Sequence, residues 1–355
     1  MQMSPSTRHI LQQRRVLGSL IGSAVRGLFQ RGRAASGRRW SPTLPGPEFV
    51  ARIKAPSPAL VRDYVRHVGG DSGAYLGRRP PVVPPHLFPQ WAFPLAARVL
   101  HDVPYPLLKI LNSGCRLEIN APVPAGSPLT LRAQLIDISE DDRRVVLHQR
   151  LVTGTAAHAS ALVADLYAVV PAASRPTKGS AGPRKGAVSV PFSARELTSW
   201  TLRPDAGLEF AFLTGDFNPL HWLAPYARAA GFRSPLLHGF AMMARTIESL
   251  GRTLLAGAVD RISVVDVRFI RPLALGRGIQ VGLYLDADGR TFYLADAPGS
   301  RAYLVGTFEA RSEGRVALSR HVLPDTADPQ PNPPASPTPL GRLVQGDPKN
   351  ERLSG

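Results

Sequence analysis

Two stretches of the sequence repeat one pattern at an offset of 150 residues. They read LEINAPVPAGSPLTL at 117–131 and VRFIRPLALGRGIQV at 267–281. In both, a proline-bounded turn leads through a glycine into an alternating strand. The matched positions are Pro122 with Pro272 and Gly126 with Gly276. The repeat predicts two domains of the same kind, a number that the chain length of 355 residues also favours.

The strand after each repeated turn places its apolar side chains on one face, as expected for a half-buried strand. These side chains are Leu129, Leu131, Ala133 and Leu135 in the first strand, and Ile279, Val281, Leu283 and Leu285 in the second. Further strand patterns occur at 144–153, 161–170, 291–296 and 301–310. Each domain is therefore predicted to hold an antiparallel sheet.

A helical pattern precedes the strands of each domain. In the second domain, apolar residues step by three and four through Phe240, Met243, Ile247, Leu250 and Leu254. In the first domain, the pattern runs through Trp91, Leu95, Val99 and Val103 until Pro104 ends it. A long helix followed by antiparallel strands, twice over, predicts an α+β protein in which each sheet wraps around its helix.

Composition sets the boundaries of these domains. We predict a basic flexible leader over 1–40, a first domain over 50–170, a linker over 171–190, a second domain over 191–320 and a disordered tail over 321–355. The linker is rich in Pro, Gly, Ser and Lys, and the tail holds eight prolines without apolar periodicity.

The leader carries eight arginines and no acidic residue, within a formal net charge of +17. Its apolar residues lie at helical spacing from Leu17 to Leu28. Three functional hypotheses fit this pattern: an amphipathic helix on a membrane surface, an organelle transit peptide, or a twin-arginine export signal at Arg14-Arg15. An unstructured basic extension fits it as well. We expect a cytoplasmic protein, or one of the mitochondrial matrix or a membrane surface if residues 1–40 target or anchor it.

Charge and cysteine content argue against several classes of protein. Most of the net positive charge falls in 1–40 and 171–190 rather than in a domain, which argues against binding to nucleic acid. Because Cys115 is the one cysteine, no disulfide can form within the chain. No run of about 18 apolar residues occurs, so no transmembrane helix is expected.

The segment 210–240, FAFLTGDFNPLHWLAPYARAAGFRSPLLHGF, carries the candidate chemistry. A turn at Asn218-Pro219 brings Asp216 and His221 together, so that both can act on one substrate atom or one water. Asn218 can hold either partner by hydrogen bonds. Alternatively, Asp216 caps the next helix. A metal site is not expected, because no second His or Cys is spaced for one.

The runs GDFNPLH, ARAAGF and HGF resemble the MaoC-like dehydratase and (R)-specific enoyl-CoA hydratase family. Its signature is a Gly-Asp-x-Asn-Pro-x-His turn, followed about eighteen residues later by a His-Gly pair. His221 and Gly239 are eighteen residues apart. The stretch VRFIRPLALGRGIQV resembles the family's entry into a strand. The resemblance covers about 200–310 and implies tandem hot-dog domains, each a long central helix wrapped by an antiparallel sheet.

The resemblance also implies roles for residues of this segment. Asp216 and His221 would activate the water that adds syn to a trans-2-enoyl thioester and gives the (R)-3-hydroxyacyl product, or catalyse the reverse dehydration. Asn218 maps to the turn asparagine, and Gly239 to the glycine whose N–H meets the thioester carbonyl. Gly239 lies near the start of the long helix, where free N–H groups favour an oxyanion. We interpret His238 as structural and expect no cofactor beyond the CoA or acyl-carrier-protein handle of the substrate.

The first domain departs from the pattern. Its segment most similar to Gly215-Asp216 is Gly70-Asp71, but Gly73 and Leu76 occupy the positions at which the motif has Asn and His. We therefore predict an inactive first hot-dog domain that pairs with an active second one. This pairing is an intrachain pseudo-dimer, which can associate further into a homodimer.

Three functions remain open on the sequence alone. The first is a hydratase or dehydratase of acyl thioesters, with acyl-CoA or an acyl-carrier protein as partner. The second is a hot-dog thioesterase, since a fold by itself does not settle function. The third is a non-catalytic acyl-binding or assembly subunit, held at a membrane surface through residues 1–40.

Overall fold

The computed structural model describes residue 9 and residues 43–105, 110–141, 144–171 and 188–312. Its strands are β1 (Phe49–Lys54), β2 (Val82–Val83), β3 (Leu111–Ile119), β4 (Val123–Pro124), β5 (Pro128–Asp141), β6 (Arg144–Gly154), β7 (Leu162–Pro171), β8 (Arg195–Leu202), β9 (Ile262–Phe269), β10 (Ile279–Leu285), β11 (Thr291–Ala295) and β12 (Leu304–Ala310). Its α-helices are α1 (Pro58–His67), α2 (Gly73–Leu76), α3 (Pro89–Val99), α4 (Ala206–Thr214), α5 (Ala224–Ala229) and α6 (Gly239–Leu254).

Ten of these strands form one antiparallel sheet, in the order β1-β5-β6-β7-β3-β9-β12-β11-β10-β8. The first five strands in this order come from the first half of the chain, and the last five from the second half. From the centre outward, β3-β7-β6-β5-β1 mirrors β9-β12-β11-β10-β8. The two halves therefore share one topology, and the predicted α+β fold of tandem hot-dog domains is confirmed.

The two halves join through their central strands. Strands β3 and β9 pair antiparallel from Gly114 opposite Arg268 to Glu118 opposite Val264. At Gly114 an added Cβ would lie 2.7 Å from the carbonyl oxygen of Val267, so a side chain there would push the halves apart. Since backbone hydrogen bonds cross this junction, the sheet is continuous.

Each half has a helix packed against its part of the sheet. Helix α3 contacts β1, β5 and β6, and helix α6 contacts β8 and β9. The rings of Phe88 and Phe240, at the starts of these helices, meet edge to face with centroids 5.6 Å apart. The predicted apolar faces are buried at Leu129 and Leu131 in one half and at Val281 and Leu283 in the other.

Several predicted details need correction. Helix α3 ends at Val99, because the chain then turns through Leu100–Val103, before Pro104 is reached. Strand β12 begins at Leu304 rather than near 301. In the repeated turn, Gly126 has φ +72°, and the glycine with the matching left-handed backbone is Gly278 (φ +71°). The structural offset at this turn is therefore 152 residues rather than 150.

Most of the predicted leader and linker, and the whole tail at 321–355, lie outside the described residues. His9 is described, and its imidazole Nε2 lies 2.6 Å from a carboxylate oxygen of Asp63 in helix α1. Both side chains are buried. A buried contact at His9 differs from what a flexible leader over 1–40 predicts for this position. Within the described ranges, no helix is long and apolar enough to cross a membrane.

Candidate active site

The candidate site is built on the turn that follows helix α4. The helix ends at Gly215, whose φ of +84° lies in the left-handed region that favours glycine. Earlier in the helix, an added Cβ on Gly207 would lie 1.9 Å from the carbonyl oxygen of His221. Glycines thus allow the turn to fold back onto the helix, which places Asp216 and His221 on the same side.

Asp216 is held at the beginning of the turn. Its backbone N–H donates to the Thr214 hydroxyl at 3.4 Å, and its carboxylate Oδ1 accepts from the Asn218 N–H at 3.4 Å. Both contacts are long, so most of the carboxylate's capacity to accept hydrogen bonds is left over. The side chain is 21% exposed, which leaves it accessible to a ligand.

Asn218 forms the corner of the turn. Its side-chain Oδ1 accepts from the Leu220 N–H at 3.1 Å and so caps the short 3-10 helix Pro219–His221. The cap of this helix is therefore Asn218 and not Asp216, against the alternative that Asp216 serves as a cap. This hydrogen bond of the Asn218 side chain stabilises the loop and does not involve the side chain of Asp216 or His221.

The hydrogen bond of His221 fixes which ring nitrogen carries its proton. Nδ1 lies 2.9 Å from the carbonyl oxygen of Leu236, and a carbonyl can only accept, so Nδ1–H donates. In the neutral ring, Nε2 then holds a lone pair. Asp216 and His221 bring an oxygen and a ring nitrogen within 4.8 Å of one another. Two hydrogen bonds of about 2.8 Å from one water span roughly this distance.

His238 also belongs to the site. It is buried, its ring stacks on His221 with centroids 3.6 Å apart and planes 25° apart, and its Nε2–H donates to the backbone carbonyl of Asp216 at 3.0 Å. Burial, with the neighbouring His221 as a second cause, holds the pKa of His238 well below its usual value. The ring is therefore neutral at pH 7.

Gly239 begins helix α6 immediately after His238. The first N–H groups of a helix have no partner in a preceding turn, and they carry the positive end of the helix dipole. An added Cβ on Gly239 would lie 3.0 Å from the ring of Phe269, so this position has little room for a side chain. The contacts of His238 bring the start of the helix next to Asp216 and His221.

The three residues Asp216, His221 and His238 also offer ligand atoms within 4.8 Å of one another, close enough for a metal ion. The sequence-based expectation that no second histidine could join the site is therefore wrong. An ion shared by two imidazoles lies near the plane of each ring, about 2.1 Å from the nitrogen. Stacked rings hold their lone pairs in separate planes, so this geometry favours hydrogen bonding over a shared ion.

Comparison with known proteins agrees with this geometry. Residues 189–290 match the family model of the MaoC-like domain. This part of the chain is therefore similar to the MaoC-like domain. The resemblance predicted from the turn and the His-Gly pair is thereby confirmed.

Two relatives each match about half of this chain. The peroxisomal multifunctional enzyme type 2 of Mus musculus is 26% identical over 183 residues, which are 51% of this chain and 24% of that protein. The enoyl-CoA hydratase ChsH3 of Mycobacterium tuberculosis is 26% identical over 181 residues, which are 51% of this chain and 62% of that protein. The chain thus matches less than two thirds of the length of either relative.

Solved structures extend the similarity of fold across both halves. A structure described as a MaoC-like dehydratase superimposes with a TM-score of 0.61 and 18% identity, over 76% of this chain and 99% of its own. A MaoC-like dehydratase from Phytophthora capsici gives a TM-score of 0.60 and 16% identity, over 76% and 97%. At these identities the similarity shows the fold alone.

The first half contributes His67 to the surroundings of the MaoC-like domain's site. Its ring lies 6.1 Å from that of Phe210, which in turn packs at 4.8 Å on His238. Its Nδ1 lies 3.2 Å from the carboxylate of Glu209 in helix α4, and burial lowers the pKa of His67. Sequence reasoning missed this residue, and no motif around it gave a signal.

The corresponding region of the first half holds a different cluster. Asp71 is engaged locally, because its Oδ1 accepts from the Gly73 N–H at 2.8 Å. Nearby, Glu248 from helix α6 is buried, and one carboxylate oxygen lies 2.8 Å from the Tyr75 hydroxyl and 2.9 Å from His86 Nε2. The Tyr64 hydroxyl lies 3.1 Å from His86 Nδ1. A closed polar network thus fills the interior next to the first half's turn.

The surface next to His221 combines apolar and basic side chains. Trp222, Leu223 and Tyr226 are 37%, 39% and 46% exposed, values that are high for large apolar side chains. Arg228 and Arg233 on the same segment are exposed, and neither is paired with a carboxylate in the part of the chain that the structure describes. Aromatic rings and guanidinium groups together suit a ligand that carries a ring system and phosphates.

Proposed function

We propose that the protein is a hydratase or dehydratase of acyl thioesters that adds water to a trans-2-enoyl-CoA or removes it from a 3-hydroxyacyl-CoA. The observation that carries the proposal is the juxtaposition of Asp216 and His221, which lie close enough to hold one water between them. The relatives named enoyl-CoA hydratase and the MaoC-like domain support the same reaction class.

In the proposed reaction, the water donates one hydrogen bond to the Asp216 carboxylate and one to the lone pair of His221 Nε2. As the water oxygen adds to C3 of the enoyl group, its proton passes to Asp216 and negative charge moves to the thioester oxygen. Asp216 then returns the proton to C2 on the same face. The addition is therefore syn, the enzyme is regenerated, and the mechanism needs no cofactor.

The charge that develops on the thioester oxygen needs a hydrogen-bond donor. We assign this role to the backbone N–H of Gly239, at the start of helix α6. Such donors are fixed before the reaction and typically contribute about 3 kcal/mol to transition-state stabilisation. The resemblance to (R)-specific enoyl-CoA hydratases implies that hydration gives the (R)-3-hydroxyacyl product.

The test is hydration of crotonyl-CoA by the full-length protein, followed as the loss of the enoyl thioester absorbance. Chiral analysis of the 3-hydroxybutyryl product then establishes its hand. A thiol reagent added to the same reaction detects free CoA. Release of thiol in step with the loss of absorbance, with crotonate as the product, would identify a thioesterase instead, and neither change would leave a non-catalytic acyl-binding protein.

The exposed segment after His221 supports CoA as the handle of the substrate. We assign the adenine to the surface of Trp222 and Tyr226 and the phosphates to Arg228 and Arg233. Replacing both arginines by glutamate should raise KM for crotonyl-CoA at least about tenfold and leave kcat within about twofold, because the charges lie outside the reacting centre.

The matched substrate control is the crotonyl thioester of N-acetylcysteamine, which lacks the nucleotide. Its kcat/KM should be the same for the arginine variant and the wild type. If the two substrates lose activity in parallel, the arginines do not bind the nucleotide.

A further inference from the structure

We propose that His238 is a positioning residue of this site: its ring holds the backbone of Asp216 and the ring of His221 in the relative position that water addition requires. The inference rests on the proposed function and extends it to a residue that sequence analysis had assigned to the fold. His238 is the residue before Gly239, so it also ties the start of helix α6 to both catalytic groups.

The contacts of His238 reach both members of the pair. Its Nε2–H donates to the carbonyl oxygen of Asp216 at 3.0 Å, and the same nitrogen lies 3.9 Å from the Asp216 carboxylate. Its ring covers one face of the His221 ring at 3.6 Å. A ring pinned on one face, with its Nδ1–H bound to Leu236, keeps little freedom to rotate. The lone pair of His221 Nε2 therefore keeps a fixed direction.

The neutral state of His238 suits this role. An imidazolium this close to the Asp216 carboxylate would pair with it and weaken it as a proton acceptor. The groups that face His238 are Asp216, His221 and, through an electrostatic interaction, His67. Burial together with two neighbouring histidines disfavours the charged form. His238 thus supplies a hydrogen bond and a packing surface, and takes no proton from the water.

The first half of the chain contains a natural comparison. His86 precedes Phe88 by two residues, as His238 precedes Phe240, and both pairs are separated by the offset of 152 residues found at the repeated turn. His86 lies against the ring of Tyr64 at 5.5 Å, as His238 lies against Phe210 at 4.8 Å.

The two histidines differ in what they bind. Both ring nitrogens of His86 have side-chain partners, Glu248 at 2.9 Å and Tyr64 at 3.1 Å. Nδ1 of His238 has no hydrogen-bond partner among the described residues. One position in the repeat thus serves a buried network in the first half and the catalytic pair in the second.

Two substitutions separate the contacts of His238. His238→Phe keeps a ring that can stack on His221 and removes the donor to Asp216. His238→Gln keeps a donor of similar reach and removes the ring. Each variant should lower kcat for crotonyl-CoA at least about tenfold and change KM less than about threefold, because a small misplacement of catalytic groups costs rate rather than binding.

His86→Phe is the matched control for general damage to the fold. It should lower the melting temperature and leave kcat per folded protein within about twofold. A kcat within twofold of wild type in His238→Phe would overturn the proposal. So would an equal loss of kcat in His86→Phe at the same folded fraction, since the effect would then come from packing alone.

Nitrogen-detected NMR of the histidine rings tests the contact without any substrate. In the wild type, His238 should show a neutral ring with the proton on Nε2, and His221 a ring with the proton on Nδ1. In His238→Gln, which removes the stacked ring, the His221 signals should shift or broaden, while the Leu236 carbonyl still favours the proton on Nδ1. An unchanged His221 spectrum would overturn the positioning role, whereas an inactive wild-type enzyme with the expected spectra would overturn the proposed function and leave the contact intact.

Discussion

Single residues decide whether the site can work. In the proposed reaction, Asp216→Asn removes the carboxylate that accepts the proton, and His221→Gln removes the ring lone pair that orients the water. Each should lower kcat on crotonyl-CoA at least about a hundredfold, the usual scale for a lost acid or base. Both replacements are nearly isosteric, so melting curves should stay close to wild type. Turnover near the wild-type value in either variant would contradict the mechanism.

Two further variants sharpen this test. The double variant of Asp216 and His221 should be little worse than either single one, because groups that act together do not contribute additively. Asp71→Asn is the control from the first half, where the carboxylate binds its own loop at Gly73. It should be nearly silent in turnover, and a loss as large as that of Asp216→Asn would reveal a second site.

The protonation of His238 makes a separate prediction about stability. The pKa of His238 is lowered in the folded protein. Below about pH 6.5, the side chain is therefore protonated in the unfolded chain but stays neutral in the folded one. The free energy of unfolding therefore falls as the pH drops from 6.5, by about 1.4 kcal/mol per pH unit for one such group. In His238→Phe this contribution is absent.

Urea denaturation at pH 7.0, 6.0 and 5.5 measures the effect. The wild type should lose more stability over this range than His238→Phe. His67 also has a lowered pKa, so a smaller loss should persist in the variant. Parallel pH curves for the two proteins would show that His238 is protonated as readily in the folded state as in the unfolded one.

At the scale of elements, periodicity predicted what depends on local pattern. The apolar residues spaced by three and four from Phe240 to Leu250 predicted helix α6, and alternating apolar residues predicted strands β5 and β10. Both patterns arise because one face of each element is buried. The Asp216 turn was also predictable, since Gly215 permits a left-handed backbone and Asn218-Pro219 favours a turn. The motif, rather than spacing, identified Gly239.

Contacts between distant elements were not predictable in this way. Glu248 looked like an ordinary polar residue of a helix, but it is 3% exposed and bound to Tyr75 and His86, more than 160 residues away. His238 was interpreted as structural because the family carries it as part of a turn, and nothing local shows that its ring stacks on His221. Such partners are set by how the halves pack, and a single sequence carries no period for them.

The network around Glu248 predicts a large stability effect. Glu248→Ala would leave the Tyr75 hydroxyl and His86 Nε2–H buried without their acceptor. A buried polar group left without its partner typically costs about 1–3 kcal/mol, so two such groups together cost about 2–6 kcal/mol. Denaturation in urea should show a loss of this size, and a loss below about 1 kcal/mol would mean that water or another group replaces the carboxylate.

Glu248→Gln is the control, because its amide oxygen can still accept one of the two bonds. Its loss of stability should be clearly smaller than that of the alanine variant. In both, kcat per folded protein should change less than in His238→Phe, since the network does not touch Asp216 or His221.

At the scale of the whole molecule, one sheet joins two halves that have diverged. Both keep the same strand order and a histidine at the start of the central helix. In the second half this histidine is His238, which contacts Asp216 and His221. In the first half it is His86, which binds the buried Glu248 of helix α6. Together with the proposed function, this division predicts one acyl-CoA bound per chain.

The leader supplies the last prediction at this scale. His9 is buried against Asp63 at 2.6 Å, so deletion of residues 1–40 removes a buried hydrogen bond to a carboxylate. Bonds of this kind contribute about 1.5–3 kcal/mol. The truncated protein should therefore melt several degrees below the full chain, but keep its turnover on crotonyl-CoA, because the hydrogen bonds that hold Asp216 and His221 come from Asn218, His238 and Leu236. His9→Ala in the full chain is the matched control. If truncation lowers the melting temperature as much as His9→Ala does, this one contact accounts for the leader's contribution; if neither change lowers it, the bond between His9 and Asp63 does not stabilise the fold.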